Sequence, residues 1–274
     1  MADKLPLEDA CEDILGKVLR GSNMTPGIIE FLSGVPENKI EAALDGEVDE
    51  CALRGIAPVM GLDAASMLRI ARDEYPKLSG DIDGLKQFNT PFDDMTVNHY
   101  LVWKGSEAVM FDTGANADKA LAFLADHSLE LKAVFLTHTH LDHIADLEKV
   151  KKAYPDAKVR IGAYEPYEGA EKLFPGESFS VAGITVATAK ASGHSPAATV
   201  YQIDGLSNPV AIVGDVVFAG SMGGPLISYD AALSDARSAV FSLPDETVLC
   251  PGHGPMTSVS IEKENNPFFP EFKN

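Results

Sequence analysis

Ala133-Val134-Phe135-Leu136-Thr137-His138-Thr139-His140-Leu141-Asp142-His143 is the stretch that decides what this chain is. Its first four residues are a short apolar run of the kind that forms a strand buried on both faces. Directly behind them, six positions hold three histidines and an aspartate. Imidazole and carboxylate at the end of a strand are the ligand types of Zn²⁺, Fe²⁺ or Mn²⁺. A His-x-His pair leaving a strand can aim both rings one way, while Asp142 and His143 turn toward a neighbouring point. A plain polar loop with Asp142 as helix cap would need none of the histidines.

Outward from this stretch, the remaining ligand-type residues repeat one placement. Gly193-His194-Ser195-Pro196 follows the strand expected over Ile184 to Ala189, and Gly214-Asp215 follows Val210 to Val213. Gly252-His253-Gly254-Pro255 follows Thr247 to Cys250. Glycine beside each ligand lets the backbone approach a crowded centre. Between Val97 and Cys250 the pattern alternates strands and helices, with helices over Asn116 to His127, Asp142 to Ala153 and Asp230 to Phe241. Before residue 80 it is helical only, in about five short segments. Thr25-Pro26 opens one of them as cap and first residue, and Gly34 closes it. Ser79 to Phe92, with Gly80, Gly84 and Pro91, reads as the linker.

Through His138-x-His140-x-Asp142-His143, His194, Asp215 and His253, together with Asn98-His99-Tyr100-Leu101-Val102 and Phe111-Asp112-Thr113-Gly114, the chain resembles the metallo-β-lactamase superfamily. The resemblance runs from roughly Phe88 to Phe269. It implies an α+β fold, an αββα sandwich preceded here by a small all-helical domain, with boundaries at 1–80 and 81–274. It also implies two divalent metal ions, zinc first, with iron or manganese as alternatives. His138, His140 and His194 would hold one metal, Asp142, His143 and His253 the other, and Asp215 would bridge them. Asp112 would orient the ligand loop from behind. The implied chemistry is hydrolysis by a metal-bridging hydroxide, with Asp142 also steering or accepting a proton.

Gly214-Asp215-Val216-Val217-Phe218-Ala219-Gly220-Ser221, Gly252 to Thr257 and Glu262-Lys263-Glu264-Asn265-Asn266-Pro267-Phe268 look like the glyoxalase II-like branch. That likeness implies a thioester of the hydroxyacylglutathione type as substrate. Such proteins often carry arginine where this chain has Gly224. After Asp245 the only cations are Lys263 and Lys273, whereas full-length glyoxalase II grips glutathione with a basic C-terminal segment. Lactone hydrolysis and persulfide oxidation at a single iron are the alternative reactions on the same site.

Met24 to Pro36, Ile40 to Gly46 and Leu53 to Leu62 resemble a Cro/repressor helix-turn-helix domain, which would make the chain a metabolite-sensing regulator. Yet residues 1–80 hold 8 basic and 15 acidic residues, a net of −7. The expected recognition helix, Glu37 to Leu44, offers only Asn38 and Lys39 to a groove, which is thin for base and phosphate contacts. The expectation is therefore a helical shape reused for packing, dimerisation or covering the active site.

Whole-chain composition agrees. With 274 residues, 45% hydrophobic, the chain can bury a sizeable core, and its formal charge of −19 excludes sequence-independent binding of nucleic acid. The N-terminal residues Met1 to Asp9 lack the regions of a signal peptide. Three scattered cysteines suggest reduced thiols. A cytoplasmic protein acting on a small molecule is expected, without membrane or nucleic-acid partner, with a homodimer as its assembly. Cys250 is expected in the core, His99 and His127 as structural residues, and Tyr164 and Tyr167 either along a cleft or packed.

Overall fold

Five helices come first: α1 (Cys11–Gly21), α2 (Pro26–Ser33), α3 (Glu37–Leu44), α4 (Glu50–Val59) and α5 (Ala64–Ala71). They belong to a computed structural model that describes residues 5–273; Met1 to Lys4, which entered the reading against a leader, and Asn274 lie outside the described residues. The Thr25 side chain accepts from the Ile28 N–H, Pro26 takes the first helical position, and Gly34 ends α2 at φ 71°. α1 starts at Cys11, later than the apolar stripe from Leu7 suggests, because the Asp13 carboxylate accepts from the Ala10 N–H at 2.9 Å and fixes the start there.

The rest is β1 (Leu85–Phe92), β2 (Met95–Lys104), β3 (Glu107–Phe111), α6 (Asp118–Asp126), β4 (Glu130–Leu136), α7 (Leu141–Ile144), α8 (Leu147–Ala153), β5 (Lys158–Gly162) and β6 (Glu171–Leu173). Then follow β7 (Ser178–Val181), β8 (Ile184–Ala191), β9 (Ala198–Asp204), β10 (Val210–Gly214), α9 (Tyr229–Ala239), β11 (Val248–Pro251), β12 (Thr257–Ser258) and α10 (Val259–Asn265). One sheet has the order β1-β2-β3-β4-β5-β6, the other β12-β11-β10-β9-β8-β7. Phe111, Phe135, Tyr201, Ile212 and Cys250 pack between the sheets. On the outer face of the first sheet, Leu101, Met110 and Val134 meet Leu124 of α6 and Val150 of α8. The outer face of the second sheet packs against Ala232 and Ala236 of α9 in one continuous cluster that also takes in Ile14, Ile29, Leu53 and Met67 from the N-terminal helices. The fold is thus α+β, an αββα sandwich with the five helices added to one outer layer. No helix among the described residues is long and apolar enough to cross a membrane.

Two sequence expectations need correction. The expected linker Ser79 to Phe92 is half strand: β1 pairs along its whole length with β2, from Leu85↔Val102 to Phe92↔Met95. Leu85, Phe88 and Thr90 are buried, and Pro91 is tolerated because β1 is an edge strand. The single helix expected over Asp142 to Ala153 is two. The Thr113 N–H donates to the His143 carbonyl at 2.8 Å, capturing the acceptor that a continuous helix would offer to Leu147.

Candidate metal centre

The ligand-type residues all leave the ends of strands on one edge of the sandwich. His138, His140, Asp142 and His143 follow β4, and His194 follows β8; Asp215 follows β10 and His253 follows β11. Asp112 follows β3 with φ 55°, a left-handed conformation that costs energy for a non-glycine residue. The structure brings all eight together. Ligand atoms of His138, His140 and His194 lie within 4.8 Å of one another, as do those of Asp142, His143 and His253, and those of His138, His143 and Asp215. Asp215 lies between the groups: Oδ1 is 3.3 Å from His143 Nε2, and Oδ2 is 3.2 Å from His194 Nε2 and 3.4 Å from His253 Nε2.

Four of the five imidazoles are aimed by their outer nitrogen. Asp112 Oδ2 accepts from His143 Nδ1 at 2.8 Å, the Thr96 carbonyl from His253 Nδ1 at 2.7 Å, and the Gly224 carbonyl from His194 Nδ1 at 2.8 Å. Thr137 Oγ1 donates to Asp112 Oδ2, which leaves it to accept from His138 Nδ1 at 3.0 Å. These bonds place the lone pair on the inward Nε2. His140 is turned the other way, its Nδ1 lying 2.9 Å from His194 Nε2. His138 Nε2, His143 Nε2 and Asp215 Oδ1 are buried with no hydrogen-bond partner in the protein. Convergent, unpartnered acceptors are costly unless a cation receives them, so the residues fit a divalent metal pair.

Facing carboxylates, two of the rings are drawn toward the protonated form, and a bound cation would take the place of the inward proton. Burial pulls His143 down, but Asp215 and Asp112 together carry its pKa up to about 10. Burial likewise opposes His253, which Asp215 and Asp142 raise to about 11. His138 is driven far down by burial, with His143 adding to the effect. Asp215, opposed by burial, stays far below the usual carboxylate range because His253, His143 and His194 surround it. Space is equally tight. A Cβ on Gly252 would stand 2.1 Å from Asp215 Oδ1 and 2.6 Å from His143 Cε1, so the ligand loops close only around glycine.

Sequence reasoning missed three supporting residues. Glu165 is 2% exposed and joins two ligand loops, accepting from Thr139 Oγ1 at 3.0 Å, Ser195 Oγ at 2.7 Å and the Ala197 N–H at 2.8 Å. Nothing local in Tyr164-Glu165-Pro166 signals that role. Lys17 is buried on α1, pairs with Asp9 and donates to the Met222 carbonyl at 2.7 Å. Its signal was present, a lysine inside the apolar stripe Ile14, Leu15 and Val18. Its ammonium lies 5.1 Å from the Phe218 ring centroid, and Phe218 in turn packs edge-on against His253 at 5.3 Å. Glu8 Oε1 reaches within 3.7 Å of His253 Nδ1. The N-terminal helices therefore touch the centre, through Lys17 and the Glu8 segment that precedes α1.

The other residues weighed from sequence stand apart. His99 is buried in β2 without a partner, and the exposed His127 bonds the Phe123 carbonyl through Nδ1. Cys250 is buried between the sheets. Tyr164 is exposed, whereas Tyr167 packs on the outer cluster of the first sheet. On α3, Lys39 pairs with Asp49 at 2.7 Å.

Known proteins resemble this chain over its two-sheet part. The family model for the Metallo-beta-lactamase superfamily matches residues 93–253, beginning after all five N-terminal helices. The chain is 25% identical over 211 residues to the probable metallo-hydrolase YqgX of Bacillus subtilis, covering 69% of this chain and 99% of that one. It is 27% identical over 198 residues to the hydroxyacylglutathione hydrolase GloC of Haemophilus influenzae, covering 62% of this chain and 92% of that one. The crystal structure of the B3 metallo-beta-lactamase BLEG-1 superposes with a TM-score of 0.59 at 25% identity, covering 68% of this chain and 99% of that one.

Proposed function

Because the chain belongs to the metallo-beta-lactamase superfamily, we propose that it is a hydrolase holding two divalent metal ions and acting on a thioester of the hydroxyacylglutathione type. His138, His140 and His194 would hold one ion, Asp142, His143 and His253 the second, with Asp215 shared. The chemistry such a pair would supply when bound is a water acidified toward neutral pH and a polarised carbonyl. The observation that carries the reading is the set of buried, unpartnered acceptors His138 Nε2, His143 Nε2 and Asp215 Oδ1, which point into one small volume. Completeness of the second group favours two ions over a single iron. The nitrogen-rich donor set suits zinc.

The chain's own groups have assignable tasks. Asp112 holds His143 through Nδ1 and the loop through the Thr137 N–H at 2.7 Å, so the ligand stretch is set before any substrate arrives. Asp142 Oδ2 lies 3.5 Å from His143 Nε2 and 3.4 Å from His253 Nε2. At that edge it can accept the proton given up by the attacking water, which is then available to the departing thiolate. Likeness to the GloC hydrolase supports the thioester. The N-terminal helices serve packing at the centre, a role supported by Lys17, Glu8 and the cluster shared with the second sheet.

The test is S-D-lactoylglutathione hydrolysis by purified protein, with metal content read by elemental analysis. Chelator-sensitive turnover with two metals per chain is expected. Two metals without turnover would discard glutathione thioesters, and one iron without turnover would discard the dinuclear hydrolase.

A further inference from the structure

We infer that the substrate presents an apolar acyl chain, which lies on a hydrophobic rim around the centre; the inference rests on the hydrolase reading above. Ten large hydrophobic side chains are exposed among the described residues, and four of them, Ile28, Phe31, Leu32 and Val48, lie on the N-terminal helical part. Of the other six, Met95, Leu141, Tyr164, Leu226 and Ile227 are exposed beside residues that carry or brace the ligands, and Phe174 joins them through the ring of Tyr164. Leu141, 65% exposed, separates His140 from Asp142. Leu226 donates its N–H to the Gly224 carbonyl, the acceptor of His194, and Ile227 donates to the Gly193 carbonyl. Tyr164 precedes Glu165, and its ring meets Phe174 edge-on at 6.3 Å. Met95 precedes Thr96, whose carbonyl holds His253. Apolar side chains gathered in water at one functional edge mark a ligand surface.

The polar groups nearby point the same way. Lys17 is committed to Asp9 and the Met222 carbonyl, and Lys172 to the Glu165 carbonyl at 2.7 Å. Position 224 is glycine, and on the His253 side the nearest ionisable group from the N-terminal segment is the carboxylate of Glu8. Binding energy for the acyl half then comes from burying methylenes. Full transfer from water is worth about fourfold per methylene, and a rim open on one side keeps roughly half of that free energy, about twofold.

Two measurements on the metal-loaded full chain test this. In the first, kcat/KM is measured for acyl thioesters of glutathione and of N-acetylcysteamine from C4 to C10. A rise of roughly sixty-fold is expected across the series. Leu226→Ser combined with Ile227→Ser should flatten the slope, while Phe31→Ser on α2 should keep it. In the second, calorimetry compares S-methyl- and S-decylglutathione, thioethers that cannot be hydrolysed; the decyl compound should bind roughly five-hundred-fold tighter. Turnover that is independent of chain length, or equal binding of the two thioethers, overturns the apolar-chain inference and leaves the hydrolase reading standing. If no thioester is turned over by protein with two metals, the thioester reading fails, and the thioether pair still decides the rim.

Discussion

Replacing His99 by leucine should change the acid sensitivity of folding by an amount the structure specifies. His99 is 0% exposed, stacked on Phe88 at 5.3 Å, and neither ring nitrogen has a hydrogen-bond partner. Burial takes its pKa down to about 4, with Asp146 acting weakly the other way. In the unfolded chain the same imidazole titrates near 6.5. Above pH 6.5 both states are neutral and the residue has no pH-dependent effect. As pH falls from 6.5 to 4, only the unfolded chain takes up the proton, so stability is lost. By pH 5 the loss is about 2 kcal/mol, approaching about 3 kcal/mol below pH 4. His99→Leu removes this component alone. Urea unfolding of both proteins at pH 7.5 and pH 5, with chelator present throughout, should show the stability difference moving by about 2 kcal/mol in favour of the variant at pH 5. A difference that stays constant between the two pH values would refute the reasoning, since it would mean the ring takes its proton equally well in the folded state.

Asp112→Asn places an amide N–H₂ where a donor, either His143 Nδ1–H or Thr137, needs an acceptor. Metal affinity measured against a chromophoric chelator should fall by about 10- to 100-fold. Gly252→Ala drives a methyl into Asp215 Oδ1, and elemental analysis should find the purified variant depleted of metal. Glu262, wholly buried, accepts at Oε1 from Tyr75 and Thr257 and at Oε2 from the Gly220 N–H and Asn266. Glu262→Gln can turn its amide toward the two hydroxyls, which rotate to accept, and should cost about 1 kcal/mol in chemical denaturation. Glu262→Ala strands four donors and should cost about 4 kcal/mol. Duplex DNA at low salt should show no sequence-selective mobility shift with the full chain, because Lys39 is paired and its neighbours on α3, Glu37 and Glu41, are acidic.

Much of the site was legible in the sequence because metal ligation is written in residue types at strand ends. The pattern from His138 to His143, and His194, Asp215 and His253 each in a glycine-bearing loop, picked out the residues whose ligand-type atoms the fold brings close together. Local signals also placed α2, whose cap, Pro26 and Gly34 act within one turn of the chain. What escaped were decisions made by partners far away in sequence. Gly84 and Pro91 suggested a linker, yet β2 supplies eight residues of pairing that make Leu85–Phe92 a strand. Helical periodicity ran through His143, yet the Thr113 N–H takes the carbonyl that would have continued the helix. Lys17 reaches Met222 across 205 residues, and Glu165 draws together loops about thirty residues away on either side. Periodicity, caps and ligand types act over a few residues and are therefore printed in the chain. Buried donors and acceptors find their partners only when the sheets close, and which carboxylate or lysine braces the centre was decided by that closure.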